Sequence, residues 1–297
     1  MEQLRDISKI LVPVDYSEYS TLALRYALEI AGKAHAEINL FHAFYSPAYD
    51  LIELTGNQST QIRLKEDITE KLMSQEEEKI HEFRDSFLTS KEYQKLIKKK
   101  LITTLTAGLA KDEIQRIARQ YHPDLVVMGT RGSDKKQNSI FGSTTEIIIK
   151  KLTYPVLAIP ENDSFTGVDN INRILFLTDF DESDFASIRK LIGFAELMGL
   201  SIRCLHLGNE SDKWEELKMN GLKEYFRRLY PQVEVDCDIL LAGDNMLASI
   251  DSYVKRNQIN IISITTRKRN LLEKLLQPSL TIRLFYHTSV PLLVFHS

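Results

Sequence analysis

Short apolar runs alternate with longer amphipathic segments along most of the 297-residue chain. In the first half, runs rich in Val, Ile and Leu are separated by segments whose apolar residues recur with helical spacing. This alternation is typical of a parallel sheet covered by helices on both faces, and its crossovers are expected to be right-handed. The pattern therefore predicts an α/β fold. The apolar runs are ILVPVD (10–15), INLFHA (38–43), LITTLTAG (101–108), DLVVMG (124–129) and PVLAIP (155–160).

The same series of runs recurs in the second half of the chain, which indicates an internal duplication. Asp15 matches Asp179 at an offset of 164 residues, and Gly129 matches Thr265 at an offset of 136. Constant offsets within each block are hard to produce by chance. The difference between the two offsets means that the first copy has about 28 additional residues between its second and third strands. The duplication predicts two tandem domains, each a five-stranded parallel sheet with helices on both faces.

The domain boundaries follow from this alignment. We predict a first domain at 1–160 with a helical insertion at 46–100, a polar linker at 161–172 and a second domain at 173–297. The insertion is either a longer surface helix or a helical lid. Its apolar stripe consists of Ile68, Leu72, Ile80 and Phe83.

Composition narrows the possible classes of protein. The apolar content of 43% is ordinary for a globular protein with a core. A net charge of -3 gives no electrostatic case for binding nucleic acid or an anionic membrane. The N-terminus has no signal-like apolar segment, and no apolar run approaches the roughly 20 residues of a membrane span. We therefore expect a soluble, cytoplasmic protein in which Cys204 and Cys237 are two buried thiols rather than a disulfide framework.

The residues best suited to chemistry lie in the segment 128–160, where Gly129 and Gly132 follow a buried strand. After nine more residues, Gly142–Thr144 begins a predicted helix. Glycines let a phosphate chain approach the backbone closely, and a helix N-terminus offers free N–H groups and a favourable dipole. Taken singly, the glycines are equally explained as turn formers and Ser143 as an N-cap. Together, at the carboxyl ends of parallel strands, they favour an anion site.

The spacing Gly-x2-Gly-x9-Gly-Ser/Thr resembles, position for position, the nucleotide motif of the ATP-binding branch of the universal stress protein family. The first strand and helix (ILVPVDYSEYSTLALRYALEIA), the second strand (LFHAF) and the segment TAGLAKDEIQRIARQYHPDLVVMGTRG resemble that family as well. The resemblance covers nearly all of 7–160 apart from the insertion, and 173–296 more faintly. It implies tandem Rossmann-like domains of the adenine nucleotide α hydrolase type.

The resemblance also implies a bound ATP, with Mg2+ bridging its phosphates. The residues that it places around ATP are Pro13, Val14, Asp15 and Ala43 at the adenosine, Met128 and Gly129 at the ribose, and Gly132, Gly142, Ser143 and Thr144 at the phosphates, with Arg131 supplying nearby positive charge. A carboxylate at a strand end suits ribose hydroxyls and adenine N–H donors. Asp15 has an alternative role, which is to cap the helix that begins near Ser17 or Glu18.

The second copy differs from the motif at every glycine, since Thr265, Lys268 and Pro278 replace them. A side chain at 265 narrows the phosphate path, and a proline removes a donor N–H. We therefore expect the second copy to have lost ATP binding. The recurrence of His42 as His206 predicts a shared packing role for these histidines rather than catalysis.

These observations favour an ATP-binding regulator of the stress response, in which the nucleotide stabilises one conformation. Two alternatives are a slow ATPase or nucleotidyl-transfer enzyme that uses the same site, and a scaffold that binds no nucleotide. No obvious catalytic base accompanies the glycines, so the sequence does not support fast turnover. Because family domains commonly pair through their last strands, the resemblance further implies that PVLAIP pairs with PLLVF within the chain, and two chains could associate as a homodimer.

Overall fold

The computed structural model describes residues 7–46, 58–89, 91, 93–94, 100–131, 142–160, 167, 170–180, 182–208, 213–241, 246–266 and 290–296. The strands are β1 Lys9–Pro13, β2 Glu37–Phe44, β3 Leu101–Ala107, β4 Leu125–Gly129, β5 Val156–Ile159, β6 Arg173–Leu177, β7 Ser201–Gly208, β8 Val235–Leu241, β9 Ile261–Thr266 and β10 Leu292–His296. The helices are α1 Glu18–Ala34, α2 Gln58–Asp85, α3 Ala110–Tyr121, α4 Ser143–Lys151, α5 Glu182–Met198, α6 Lys213–Leu229 and α7 Met246–Arg256, and a 3-10 turn, Ser86–Thr89, follows α2.

All ten strands belong to one sheet, in the order β3-β2-β1-β4-β5-β10-β9-β6-β7-β8. Within each half the five strands are parallel. The halves meet at β5 and β10, which run antiparallel with Leu293 opposite Leu157. The predicted α/β class, with its five-stranded parallel units, is confirmed.

The central strands form where the sequence is apolar at consecutive positions, because both of their faces are covered, whereas the edge strands β3 and β8 are only partly buried. Every residue of β4 is buried, and so are all residues of β1 after Lys9. One face of the sheet packs against α1, α2, α5 and α6, and the other against α3, α4 and α7. Each of the two resulting cores contains residues from both halves of the chain. None of the helices in the described part of the chain has the length and apolarity to cross a lipid bilayer.

The predicted insertion contains α2, a 28-residue helix. Its apolar stripe turns towards the protein: Ile80 is buried, and the ring of Phe83 contacts those of Tyr16 and Phe87. Near its middle, Thr69 Oγ1 lies 3.1 Å from the buried Ser46 Oγ at the end of β2. The helix is therefore packed against the edge of the first half, close to the carboxyl end of β1.

Candidate functional site

The strand order of the first half reverses at β1 and β4, whose carboxyl ends lie side by side. β1 and β4 are neighbours in the sheet, but β1 is followed by β2 in one direction across the sheet and β4 is followed by β5 in the opposite direction. Such a reversal of strand order separates the following loops and leaves room for a ligand in doubly wound folds. Pro13 ends β1 at this point and Val14 and Asp15 follow it, and Met128 and Gly129 end β4.

Asp15 is partly exposed after β1 and supports the start of α1. Its Oδ1 accepts hydrogen bonds from the Ser17 hydroxyl at 2.6 Å and from the Ser17 amide at 3.2 Å. Ser17 is the N-cap, and its hydroxyl oxygen accepts from the Ser20 amide at 3.3 Å. The capping role is therefore divided: Ser17 caps the helix, and Asp15 fixes the orientation of Ser17.

The backbone of Val14 already has partners within the protein. Its amide donates to the Phe41 carbonyl at 2.8 Å, and its carbonyl lies 2.7 Å from His42 Nδ1. Since a carbonyl only accepts, Nδ1 carries the proton of this bond. Ala43, the residue after this histidine, is half-buried near the end of β2. The amide and the carbonyl of Val14 are therefore both engaged within the protein.

A cluster around His42 joins this edge to the insertion helix. Nε2 of His42 lies 3.4 Å from Oε2 of Glu76 on α2. The ring of Tyr16 packs on the imidazole with their centroids 4.5 Å apart, and Tyr16 has a positive φ of 62°. Burial and the nearby charge of Glu76 raise the pKa of Tyr16 above its ordinary value. A bulky residue rarely adopts this backbone conformation, so the packing of the cluster holds it there.

The second half repeats this cluster. His206 Nδ1 lies 2.7 Å from the Thr178 carbonyl, and Nε2 lies 3.2 Å from Oε1 of Glu215 on α6. Phe180, with a φ of 57°, packs its ring on His206 with the centroids 4.4 Å apart. The shared packing role predicted for the two histidines is confirmed. Because the second half lacks the glycine motif, the cluster belongs to the duplicated fold rather than to a nucleotide site.

The two residues at the end of β4 face opposite sides of the sheet. Met128 is buried in the core with α3 and α4. On the other side, a Cβ added to Gly129 would lie 2.6 Å from the Cβ of Tyr19 and 3.0 Å from its carbonyl carbon. Real Cβ atoms do not approach so closely. Close packing of α1 on β4 is therefore sufficient to require glycine at 129.

Helix α4 is fixed to the end of β4 by its first turn. The Gly142 amide donates to the Thr130 carbonyl, and the Thr145 hydroxyl donates to the Gly129 carbonyl, both at 2.9 Å. Gly142 is the N-cap residue and has no side chain with which to accept from the first-turn amides. Ser143 is exposed, and Thr144 is half-buried. Within the part of the chain that the structure describes, no N-capping side chain occupies the donor groups at the start of α4.

The remaining predicted phosphate ligands are only partly described. Arg131 follows β4 and is half-buried. Gly132 and the loop that continues to 141 lie outside the described residues, as do the second-half counterparts Lys268 and Pro278. Within the described residues, no group of three or more His, Cys, Asp or Glu side chains is arranged to hold a metal ion.

The residues at the carboxyl ends of β6 and β9, the counterparts of β1 and β4, differ from those of the first half. Asp184, which is only 6% exposed, accepts hydrogen bonds from the Thr178 hydroxyl at 2.8 Å and from the Asp179 amide at 3.0 Å. The first half has the neutral Ser20 at the matching position. Thr265, which replaces Gly129, is 7% exposed, and within the described structure its hydroxyl has no hydrogen-bond partner. The acidic residue Asp184 was not predicted as part of this region, although it aligns with Ser20 at the offset of 164 that relates the two copies.

Comparisons with known proteins agree with this architecture. Residues 7–160 match the model of the universal stress protein family. The chain is 24% identical over 163 residues to the universal stress protein MJ0577 of Methanocaldococcus jannaschii, covering 52% of this chain and 96% of that protein. It is 27% identical over 154 residues to MJ0531 of the same organism, covering 51% and 81%.

A solved structure shares the fold of both halves. The crystal structure of a universal stress protein from Archaeoglobus fulgidus superposes with a TM-score of 0.67 at 18% sequence identity. The superposition covers 98% of this chain and 97% of that one. The family match spans more than half of the chain, and the chain belongs to the universal stress protein family.

Proposed function

We propose that the chain binds ATP in its first half and acts as a nucleotide-dependent regulator of the stress response. The observation that carries this proposal is the start of α4. Two hydrogen bonds hold this helix at the end of β4, and its N-cap is a glycine that offers no competing acceptor. Backbone amides at a helix N-terminus bind phosphate through direct donation and through the helix dipole.

The residues at the carboxyl ends of β1 and β4 suit the two ends of ATP. On the adenosine side, the Asp15 carboxylate is partly exposed at the end of β1 and suits ribose hydroxyls or the adenine amino group. On the phosphate side, Gly142, Ser143 and Thr144 offer amides and hydroxyls, and Arg131 contributes positive charge. Bound together with ATP, Mg2+ would neutralise part of the phosphate charge. These groups bind and orient a nucleotide, which suits a regulator that responds to occupancy.

We propose further that ATP binding is confined to the first half. Near the end of β6, the buried carboxyl group of Asp184 lies where the first half has the neutral Ser20 beside Asp15, so a negatively charged nucleotide would meet an additional acidic group there. The side chain of Thr265 also occupies the end of β9, where the first half has only a glycine. Electrostatic repulsion in a buried site is strong because solvent screens it poorly. The second half then serves as the structural partner of the first.

The tandem arrangement suggests how the halves cooperate. We propose that the division at 161–172 separates two domains, which pair through β5 and β10 as one intramolecular unit. Such a unit takes the place of a dimer of single domains, and two chains could associate further as a homodimer. We also propose a cytoplasmic location.

Thermal unfolding of the purified chain with different nucleotides tests ATP binding. A ligand at about 100 times its Kd stabilises the folded state by about 2.7 kcal/mol. We expect Mg-ATP to raise Tm by a few degrees, and Mg-GTP at the same concentration to raise it less. Gly142→Asp should abolish the ATP effect, because it puts a carboxylate and a competing acceptor at the helix start. Gly221→Asp, on the exposed face of α6, is a control with the same change of charge and should keep the effect.

Either of two results would overturn the proposal. One is an unchanged Tm with Mg-ATP in an intact chain that is free of copurified nucleotide. The other is an ATP shift of equal size in Gly142→Asp and in the unaltered chain.

A further inference from the structure

The two cysteines of the chain lie side by side in the second half. Cys204 on β7 and Cys237 on β8 are register partners on neighbouring parallel strands, and both thiols are free. Both pack into the core on the sheet face covered by α5 and α6. Neighbouring strands are about 4.8 Å apart, which lies within the Cα separation of about 4.4–6.8 Å that disulfides span. The spacing of the two strands therefore permits a disulfide between these residues.

The two thiols differ in their access to solvent. Cys204 is fully buried, whereas Cys237 is partly exposed on β8, the last strand at this edge of the sheet. Contact with Cys237 and burial raise the pKa of the Cys204 thiol well above its ordinary value. A reagent in solution therefore reaches Cys237 first, and Cys204 is placed to react second.

The fold itself does not require cysteines at these positions. The first half has Leu40 and Thr103 as register partners at the matching positions of β2 and β3. Both pairs occupy the same register, so only the second half places two thiols there. Disulfides that are strained or partly exposed are the ones most readily reduced again. A bond that includes the partly exposed Cys237 falls in this labile class.

We propose that Cys204 and Cys237 are a reversible redox pair that a small-molecule disulfide, such as oxidised glutathione, oxidises. The Cys237 thiolate attacks one glutathione sulfur, which forms a mixed disulfide and releases one reduced glutathione. The Cys204 thiolate then attacks the Cys237 sulfur and releases the second. Two protein thiols are oxidised to one disulfide, and one glutathione disulfide is reduced to two thiols. The new bond ties the edge strand β8 to β7.

The test uses the full chain, reduced and then freed of reductant. Samples are incubated with oxidised glutathione, quenched with N-ethylmaleimide under denaturing conditions, and followed by intact and peptide mass spectrometry. We expect transient glutathione on Cys237, followed by a peptide pair that joins Cys204 to Cys237 and disappears on adding dithiothreitol. Hydrogen exchange of the β8 amides should slow at least several-fold in the oxidised form, because the bond restrains strand separation.

Two matched variants separate the steps. Cys204→Ala should stop at a stable mixed disulfide on Cys237, and Cys237→Ala should leave Cys204 unmodified while the chain stays folded. Three results would overturn the proposal: glutathione that persists on Cys237 in the unaltered chain, a joined peptide pair that forms only after unfolding, or no modification at either cysteine. The time course of the mixed disulfide in the unaltered chain decides the matter even if Cys204→Ala fails to fold.

Discussion

Gly129→Ala tests whether close packing of α1 explains the first glycine of the motif. The new Cβ would lie 2.6 Å from the Cβ of Tyr19. Carbon atoms in contact are about 3.5–4.0 Å apart, so the start of α1 would have to move by about 1 Å. Overpacking of this size costs about 1–3 kcal/mol, and the lower entropy of the unfolded alanine chain offsets about 0.4–1 kcal/mol. We expect the free energy of unfolding to fall by about 1–2 kcal/mol.

Urea denaturation followed by far-UV circular dichroism measures this change. Gly221→Ala makes the same substitution on the exposed face of α6, where a Cβ would meet nothing within 4 Å. Alanine is a better helix former than glycine by about 0.5–1 kcal/mol, so this control should raise the free energy of unfolding. The two substitutions should therefore change stability in opposite directions. Equal stabilisation by both would refute the close packing of α1 on β4.

Substitutions at three further positions test the rest of the site and the contact between the halves, where Nε2 of His296 on β10 lies 2.7 Å from the carbonyl oxygen of Ile149 on α4. Thr145→Val should lower the free energy of unfolding in urea by about 1 kcal/mol, because the Gly129 carbonyl loses a hydrogen bond; unchanged stability would count against this anchor of α4. Asp15→Ala should lower the free energy of unfolding by about 0.5–2 kcal/mol, because Ser17 loses its hydrogen-bond acceptor. Asp15→Asn keeps an acceptor and should lower it less. Equal losses in the two variants would contradict this role of Asp15. Burial lowers the pKa of His296, so the unfolded chain binds this proton at higher pH than the folded chain does. The free energy of unfolding should therefore fall as the pH drops from about 6.5 towards the lowered pKa of His296 in the folded chain. In thermal unfolding, His296→Gln should flatten that dependence, and an unchanged slope would exclude His296 as its source.

The strands could be predicted from sequence because their burial leaves a simple pattern. The residues of β4 are apolar or small at consecutive positions, and each is buried between two helical layers. The duplication gave a second, independent signal, since both halves repeat the same order of elements. Local pattern and repeat offset together were sufficient to predict the α/β class.

The role of a single site residue was harder to predict, because it depends on neighbours that are distant in the chain. The glycine at 129 fits a phosphate-binding motif, but any side chain at this position would collide with Tyr19 of α1. No local sequence pattern reveals this contact. Likewise, His42 and His206 recur at one offset, whereas their partners Glu76 and Glu215 recur at another. The different lengths of the connections hide that pairing from a sequence alignment.

Calorimetric titration with Mg-ATP tests most directly whether one chain binds one ATP, in its first half. The unaltered chain should bind about one nucleotide, Gly221→Asp should bind it equally well, and Gly142→Asp should give no binding heat while remaining folded. Two sites per chain would contradict the exclusion attributed to Asp184 and Thr265. Full binding by Gly142→Asp would contradict the assignment of the phosphates to the start of α4.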